Sequence, residues 1–204
     1  MSRENNMWNE RYAEPGFAYG TSPNDFLVEQ VKWLPAGGDV LSLAEGEGRN
    51  AVWLAELGFR VTCVDISSVG LEKAIALANE HGVSLSTIIA DLADFDLGSS
   101  RWDAVISVWA HVPSSVRVPL HQRVSRALKP GGVVILEAYT PAQIALGSGG
   151  PKYPEMCMTL DGLRSELHGL DFLVSQEIER EVHEGQYHNG HSAVVQVVAK
   201  RPLR

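Results

Sequence analysis

Short apolar runs alternate with amphipathic segments of helix length along the middle of the chain. Asp39–Leu43 and Arg60–Val64 are runs of strand length. Ala51–Leu57 between them places Ala51, Leu54 and Ala55 on one helical face. Gly58 then stands where a helix of this kind commonly ends. The alternation predicts a doubly wound α/β fold, in which a parallel sheet carries helices on both faces.

The same pattern continues for another eighty residues. The next predicted strands are Leu85–Ala90, Asp103–Val108 and Val133–Ala138. One helix precedes Gly82. Another starts near Ser114 and runs through Leu128, with Pro119 as an irregularity that delays its start. The turn Lys129–Gly132 ends this helix and leads into the fifth strand.

The last third of the chain has a different pattern. Thr140–Pro154 is rich in glycine and proline, which predicts a mobile connection or a lid. Asp161–Leu167 follows as a short helix. Phe172–Glu181 and Ser192–Lys200 are predicted strands, joined by the polar loop Val182–His191.

Aromatic residues are concentrated before the first predicted strand. They are Trp8, Tyr12, Phe17, Tyr19, Phe26 and Trp33. We expect this segment to form a cap over the sheet. The predicted organisation is one domain over residues 1–204, with the cap in 1–37, a cofactor-binding core in 38–140, and a lid and strand pair in 141–204.

Composition narrows the class of protein and of partner. The 204 residues suffice for one sizeable core, and the hydrophobic and charged fractions, 45% and 21%, are typical of globular domains. The formal net charge of -8 disfavours a nucleic-acid partner, which would require clustered lysine and arginine. We therefore expect a small-molecule partner and a monomer or homodimer.

Cysteine usage and the N-terminal segment predict a cytoplasmic protein. The two cysteines, Cys63 and Cys157, do not suggest a disulfide framework, and Cys63 lies in an apolar run that predicts burial. Met1–Glu10 is polar and lacks the apolar region of a signal peptide. No run approaches the ~18 apolar residues of a membrane span.

A glycine loop at Ala44–Asn50 follows the first strand directly. In a doubly wound sheet, ligands bind at the carboxyl ends of the strands, and glycines let backbone N–H groups approach them closely. Asp65 ends the second strand, where an acid can accept hydrogen bonds from both ribose hydroxyls. Three interpretations remain open at this point: an adenosine-containing cofactor, a dinucleotide, or a tight turn with Asp65 as a helix-capping carboxylate.

The segment Leu128–Gly132, placed before a strand, resembles a turn of class I S-adenosylmethionine-dependent methyltransferases. Together with the glycine loop, Asp65 and Asp91, the resemblance covers residues 38–140. It implies a Rossmann-like seven-stranded sheet of order 3-2-1-4-5-7-6, with the last strand antiparallel. Trp8–Tyr12 and Tyr19–Asn24 resemble the cap of the small tellurite-resistance and thiopurine methyltransferase branch.

The resemblance implies S-adenosylmethionine as the cofactor and assigns residues to it. Gly46 and Gly48 would pass along its amino-acid end, Asp65 would bind the ribose, Asp91 the adenine amino group, and Leu92 would pack near the adenine ring. The full predicted binding set is Ala44, Glu45, Gly46, Gly48, Arg49, Asn50, Asp65, Ile66, Asp91, Leu92 and Trp109.

One position departs from the family pattern. The first strand usually carries an acid two residues before the loop, where this chain has Ser42. Glu45 occupies a loop position that is usually small. Its carboxylate either contacts the cofactor's ammonium or sulfonium group, points to solvent, or pairs with Arg49.

The candidate catalytic residues are His111, His188, His191 and Tyr19. His111, at the end of the fourth strand, either orients substrate or accepts a proton, or is a loop histidine bonded to backbone. His188 and His191 lie in the predicted polar loop, where the alternatives are substrate contact, solvated polarity, or a metal site with Glu184. Tyr19, beside a glycine turn, is a candidate for the substrate pocket.

These features favour methyl transfer to a small molecule. A thiol, selenium or tellurium nucleophile is expected, because such groups need little help from a base. Two alternatives remain: a nicotinamide-dependent oxidoreductase, which the looser glycine fingerprint permits, and a non-catalytic S-adenosylmethionine-binding protein, which the Ser42 and Glu45 departure permits.

Overall fold

A computed structural model of the chain, which describes residues 3–203, contains one seven-stranded sheet. Its strands are β1 (Asp39–Leu43), β2 (Arg60–Asp65), β3 (Ser86–Ile89), β4 (Trp102–Val108), β5 (Leu128–Tyr139), β6 (Asp171–Glu184) and β7 (His188–Lys200). The order is β3-β2-β1-β4-β5-β7-β6. β1 to β5 pair in parallel, and β7 is antiparallel to both β5 and β6. The predicted fold class and strand order are confirmed.

Seven α-helices accompany the sheet within the described residues. They are α1 (Arg3–Ala13), α2 (Asp25–Gln30), α3 (Arg49–Glu56), α4 (Ser68–Glu80), α5 (Ser114–Ala127), α6 (Gln143–Leu146) and α7 (Leu160–Glu166). The strands present buried apolar side chains to both faces, as parallel strands covered by helices must. Thus Leu41 packs in one core cluster and its neighbour Val40 in another.

α5 begins at Ser114 and continues through Pro119 without a break, so the expected delay of its start is wrong. Lys129–Gly132 is assigned to β5 rather than to a separate turn. The register with β4 shifts there, since Trp102 pairs with Leu128 and Ala104 with Val133. The glycine-containing segment therefore bulges out of the ladder instead of preceding it.

β6 and β7 form a longer hairpin than expected. Their ladder continues through Val182 opposite Gly190 to Glu184 opposite His188, which leaves only residues 185–187 to connect them. The predicted loop Val182–His191 is therefore wrong. Its many polar residues suggested a loop. They are compatible with a strand, because side chains at this end of β6 and β7 alternate between buried and exposed positions.

The segment after β5 folds back onto this hairpin. The Gln143 side chain accepts a hydrogen bond from Ala193 N at 2.8 Å, and Gly149 forms a β-bridge with His188. At the other end of the chain, the phenol of Tyr12 in α1 covers the glycine loop. The two segments expected to form a lid and a cap thus approach the same edge of the sheet.

Cys63 and Cys157 are both buried and both free. Burial of Cys63 in β2 confirms the expectation from its apolar surroundings. Within residues 3–203, no helix combines the length and the apolar character that crossing a membrane requires.

Candidate active site

A cavity of about 510 Å³ lies at the carboxyl ends of the parallel strands, beneath α1 and the segment after β5. Nine of the predicted cofactor residues line it: Ala44, Glu45, Arg49, Asn50, Asp65, Ile66, Asp91, Leu92 and Trp109. Tyr19, His111 and His188 line it as well. The fold therefore brings most of the predicted site residues around one space.

Gly46 and Gly48 alternate with the lining residues Glu45, Glu47 and Arg49, and the structure shows which elements pack against them. A Cβ atom on Gly46 would lie 2.6 Å from the Tyr12 hydroxyl oxygen, and one on Gly48 would lie 2.7 Å from the Ala74 Cα. Both residues also have positive φ angles, 65° and 93°. These glycines let α1 and α4 pack closely against the loop.

The Asp65 carboxylate is held by backbone N–H groups at the end of β2. Its two oxygens accept from Gly46 N and Ser67 N, each at 2.8 Å. Burial nevertheless raises the pKa of this carboxyl. The side chain that caps α4 is Ser67, not Asp65, since Ser67 Oγ accepts from Gly70 N at 3.1 Å. A carboxylate offers about four lone pairs, so Asp65 can still accept from a ligand.

At the end of β3, an acid and an apolar residue follow each other. Asp91 accepts a hydrogen bond from Ala93 N at 2.9 Å and is otherwise exposed at the edge of the cavity. Leu92 is buried, and Ile66 after β2 is half-buried on the same lining. A flat, partly apolar group with a polar edge would fit between these residues.

Glu45 is engaged by its own loop. Its carboxylate accepts from Ala51 N at 2.9 Å and from the Ser42 hydroxyl. Burial raises the pKa of this carboxyl. The expected alternative of an ion pair with Arg49 is wrong, because Arg49 pairs elsewhere. Ser42 thus acts as the partner of Glu45, which explains why the two unusual residues occur together.

Arg49 and Glu184 form a buried ion pair beside the cavity. Arg49 also donates to Ser22 O at 3.2 Å. Glu184 further accepts from the Trp109 indole nitrogen and, at 2.8 Å, from the Asn24 amide. One carboxylate on β6 therefore connects α3, the end of β4 and the segment before α2.

A second buried carboxylate extends this network. Glu137 of β5 accepts from Asn24 at 2.6 Å, from Gln196 at 2.6 Å, and from two guanidinium nitrogens of Arg180 at 2.9 and 2.8 Å. Neither Glu137 nor Arg180 is among the residues predicted from the sequence. A lone acid inside the apolar strand around Glu137 was the signal that could have found them, because a buried charge requires partners.

His111 is bonded to backbone through both ring nitrogens. Nδ1 lies 3.0 Å from Met156 O and Nε2 lies 3.2 Å from Tyr139 N. Since a carbonyl can only accept and an N–H can only donate, the ring is neutral with its proton on Nδ1. Burial lowers its pKa to about 4. The expectation that His111 accepts a proton or orients substrate is wrong, and its backbone-bonded alternative is correct.

His188, Tyr19 and Trp109 form an aromatic wall of the cavity. The His188 ring centroid lies 4.7 Å from that of Tyr19 and 5.0 Å from that of Trp109. His188 is 7% exposed, and burial lowers its pKa well below the usual value. Among the described residues its Nδ1 has no hydrogen-bond partner. This wall holds a neutral imidazole.

His191 lies outside the cavity. It is exposed and bonds to Glu179 at 2.8 Å and Glu181 at 3.0 Å. Its proposed catalytic role is therefore corrected to a surface ion pair. The metal alternative fails for the same reason, because His188 and His191 are three apart on a strand and face opposite sides. In the described part of the chain no group of histidine, cysteine and acidic residues could hold a metal ion.

A family model described as a methyltransferase domain matches residues 40–132. Just under half of the chain is thus similar to methyltransferase domains. The matched residues run from β1 into β5 and carry the glycine loop, Asp65 and Asp91. The resemblance predicted from the sequence is confirmed, together with S-adenosylmethionine as the family's cofactor. The oxidoreductase alternative receives no support from the match.

A curated relative has a similar description. The chain is 32% identical over 124 residues to a ubiquinone biosynthesis O-methyltransferase of Xanthomonas axonopodis pv. citri, and the alignment covers 58% of this chain and 51% of that protein. The chain spans about half the length of the curated relatives it matches.

Two solved structures share the fold along nearly the whole chain. One comes from work on the conversion of a disulfide bond into a thioacetal group during echinomycin biosynthesis, with a TM-score of 0.77, 19% identity, and coverage of 98% of this chain and 91% of that one. The other is TehB from Haemophilus influenzae, with a TM-score of 0.70, 16% identity, and coverage of 97% and 67%. At these identities the likeness shows the fold.

Proposed function

We propose that the chain transfers a methyl group from S-adenosylmethionine to a small-molecule acceptor. The observation that carries this proposal is the single cavity that joins Asp65 and Asp91 on one side to the aromatic wall of Tyr19, Trp109 and His188 on the other. When bound, S-adenosylmethionine supplies an electrophilic methyl group on a sulfonium. The residues of this chain bind it, orient the acceptor and keep water out.

The strand ends suit the adenosine part of the cofactor. Asp65 has lone pairs left for the two ribose hydroxyls, and its orientation is already fixed by backbone N–H groups. Asp91 would accept from the adenine amino group, and Leu92 and Ile66 would pack against the ring. Glu45 at the cavity edge is the carboxylate available to the cofactor's ammonium group.

The division of the domain follows from these roles. Residues 38–140 would hold the cofactor, whereas residues 1–37 and 141–204 would close the acceptor side. Residues 1, 2 and 204 lie outside the described part of the chain. The net charge of -8 supports a small acceptor rather than a nucleic acid, and a monomer or homodimer is part of the proposal.

The histidines of the cavity favour an acceptor that is nucleophilic without a base. Both nitrogens of His111 are engaged by backbone groups, and burial lowers the pKa of His188, which makes its imidazole a weaker base. An alcohol would need a base, because it stays protonated at this pH. A thiol, or a selenium or tellurium species, ionises or reacts without one. We therefore favour these acceptors.

Two acceptors that differ only in having sulfur or oxygen as the nucleophile test whether thiols are preferred to alcohols. The protein is incubated with S-adenosylmethionine and either benzyl mercaptan or benzyl alcohol, and the methylated product and S-adenosylhomocysteine are measured by mass spectrometry. We expect the thioether to form at least ten times faster than the ether. Equal rates would refute the acceptor class. If S-adenosylhomocysteine binds and no thiol, selenide or tellurite is methylated, the acceptor class is refuted as well.

A further inference from the structure

Arg11 of α1 lines the cavity on the side of the aromatic wall. Two contacts hold its guanidinium group. The guanidinium carbon, Cζ, lies 3.9 Å from the centroid of the Tyr187 ring, and Nη1 donates a hydrogen bond to the Tyr19 hydroxyl oxygen at 3.3 Å. Tyr187 belongs to the β6–β7 turn, so the cap and the hairpin together fix the position of this cation. Such fixation lowers the entropy lost when a ligand binds.

The other buried charges around the cavity have protein partners. Arg49 pairs with Glu184, and Glu47 pairs with Lys73 at 2.9 Å. Arg11 differs from them. Among the side chains that the structure describes, no carboxylate lies within 4.0 Å of its guanidinium nitrogens. A partly buried cation without a counterion faces the space that a ligand would fill.

Tyr19 adds a second donor at the same place. Its oxygen accepts from Arg11, so its own O–H proton remains for another acceptor. Among the side chains and backbone groups that the structure describes, none takes that proton. The Arg11 guanidinium carries several N–H donors and uses one of them on Tyr19, so others remain to pair with the two oxygens of a carboxylate.

We propose that Arg11 and Tyr19 bind a carboxylate inside the cavity. The inference rests on the proposed function, since the cavity has to bind the methyl donor and its acceptor. Two sources offer this group: the amino-acid end of the cofactor and an acceptor that carries a carboxylate. In the described part of the chain, four acids line the cavity: Asp65, Asp91, Glu45 and Glu47. Glu47 is the one near Tyr19, since it accepts a hydrogen bond from Ala18 N at 2.7 Å, and Lys73 balances its charge at 2.9 Å.

The first experimental arm tests the cofactor as the source. Calorimetric titrations compare S-adenosylhomocysteine with 5′-methylthioadenosine, an adenosine thioether that lacks the amino-acid end, for the wild type and Arg11→Gln. If Arg11 binds the cofactor's carboxylate, Arg11→Gln weakens S-adenosylhomocysteine at least tenfold and leaves 5′-methylthioadenosine unchanged.

The second arm tests an acceptor as the source. With S-adenosylhomocysteine saturating, the wild type is titrated with 3-phenylpropionate and with its neutral amide. If the carboxylate belongs to the acceptor, the wild type prefers the acid at least tenfold, and Arg11→Gln and Tyr19→Phe reduce that preference while cofactor affinity stays unchanged.

Arg164→Gln is the matched control, because Arg164 also stacks on an aromatic ring, that of Phe172 at 4.9 Å, but lies outside the cavity. Thermal unfolding of each variant separates loss of binding from loss of structure. If Arg11→Gln changes neither the S-adenosylhomocysteine affinity nor any preference for the acid, Arg11 only anchors α1 and the inference is overturned. Failure of the proposed function has a different signature, namely no S-adenosylhomocysteine binding by the wild type.

Discussion

The two sides of the cavity are held in place by different kinds of contact. We call Glu45, Asp65 and Asp91 the strand-end wall, and Tyr19, Trp109 and His188 the hairpin wall. Hydrogen bonds to the strand-end wall come from backbone N–H groups and the Ser42 hydroxyl, all between 2 and 19 residues away in the sequence. The hairpin wall depends on Glu184, whose hydrogen-bond donors lie 75 to 160 residues away.

This difference indicates that the strand-end wall serves mainly to bind the ligand, whereas the hairpin wall depends on assembly of the whole fold. The strand-end wall needs only β1 to β3 and the loops that follow them, so its geometry is preorganised locally. The hairpin wall exists only when the cap, β4 and β6 are all in place, because its polar groups satisfy one another across the sheet. Substitutions in the first wall should affect ligand affinity, and substitutions behind the second should affect stability.

The largest expected effect comes from Glu184→Ala. The substitution leaves the buried Arg49 guanidinium and the Trp109 indole N–H without their acceptor. We expect the free energy of unfolding to fall by about 3–5 kcal/mol, the typical cost of an uncompensated buried charge. Urea denaturation followed by circular dichroism measures it.

Glu181→Ala on the same strand is the matched control. Glu181 is exposed and bonds to the exposed His191, so its removal should have a much smaller effect on the unfolding curve. If the two variants lose the same stability, the buried pair does not support the hairpin wall and the comparison fails.

The second expected effect is a dependence of stability on pH through His111. Burial lowers its folded-state pKa from 6.5 to about 4, so the unfolded chain binds the proton more readily between these values. The stabilising contribution is therefore complete above pH 6.5 and is lost as the pH falls through 4. Its size is roughly 3 kcal/mol. Denaturation of the wild type and His111→Gln across this range should show a steeper decline for the wild type, and parallel curves would refute the assignment.

The elements nearest to β1 were predictable because their signals are local. The apolar run Asp39–Leu43, the glycine loop and Asp65 follow one another within about thirty residues, and each restricts the backbone by itself. Even in this region, the sequence did not indicate why glycine is required at positions 46 and 48. Their close contacts are with Tyr12 and Ala74, and no local pattern shows which element packs on a loop.

The hairpin wall was harder to predict because its contacts are distant in sequence. Polar residues around His188 and His191 suggested a loop, whereas strand pairing buries the first and exposes the second. His111 likewise depends on Met156 and Tyr139, which only the folded chain places beside it. Burial and partner identity decided these roles, and neither follows from residue type.

The smallest expected effect is also the most direct test of the account, because it measures the strand-end wall as the cofactor site. The wild type is titrated by calorimetry with S-adenosylhomocysteine and with NADH, and Asp65→Ala with S-adenosylhomocysteine. We expect the wild type to bind S-adenosylhomocysteine and not NADH, and Asp65→Ala to bind it at least tenfold more weakly, about 1.4 kcal/mol. Binding of NADH alone, or unchanged S-adenosylhomocysteine affinity in a folded Asp65→Ala variant, would contradict the account.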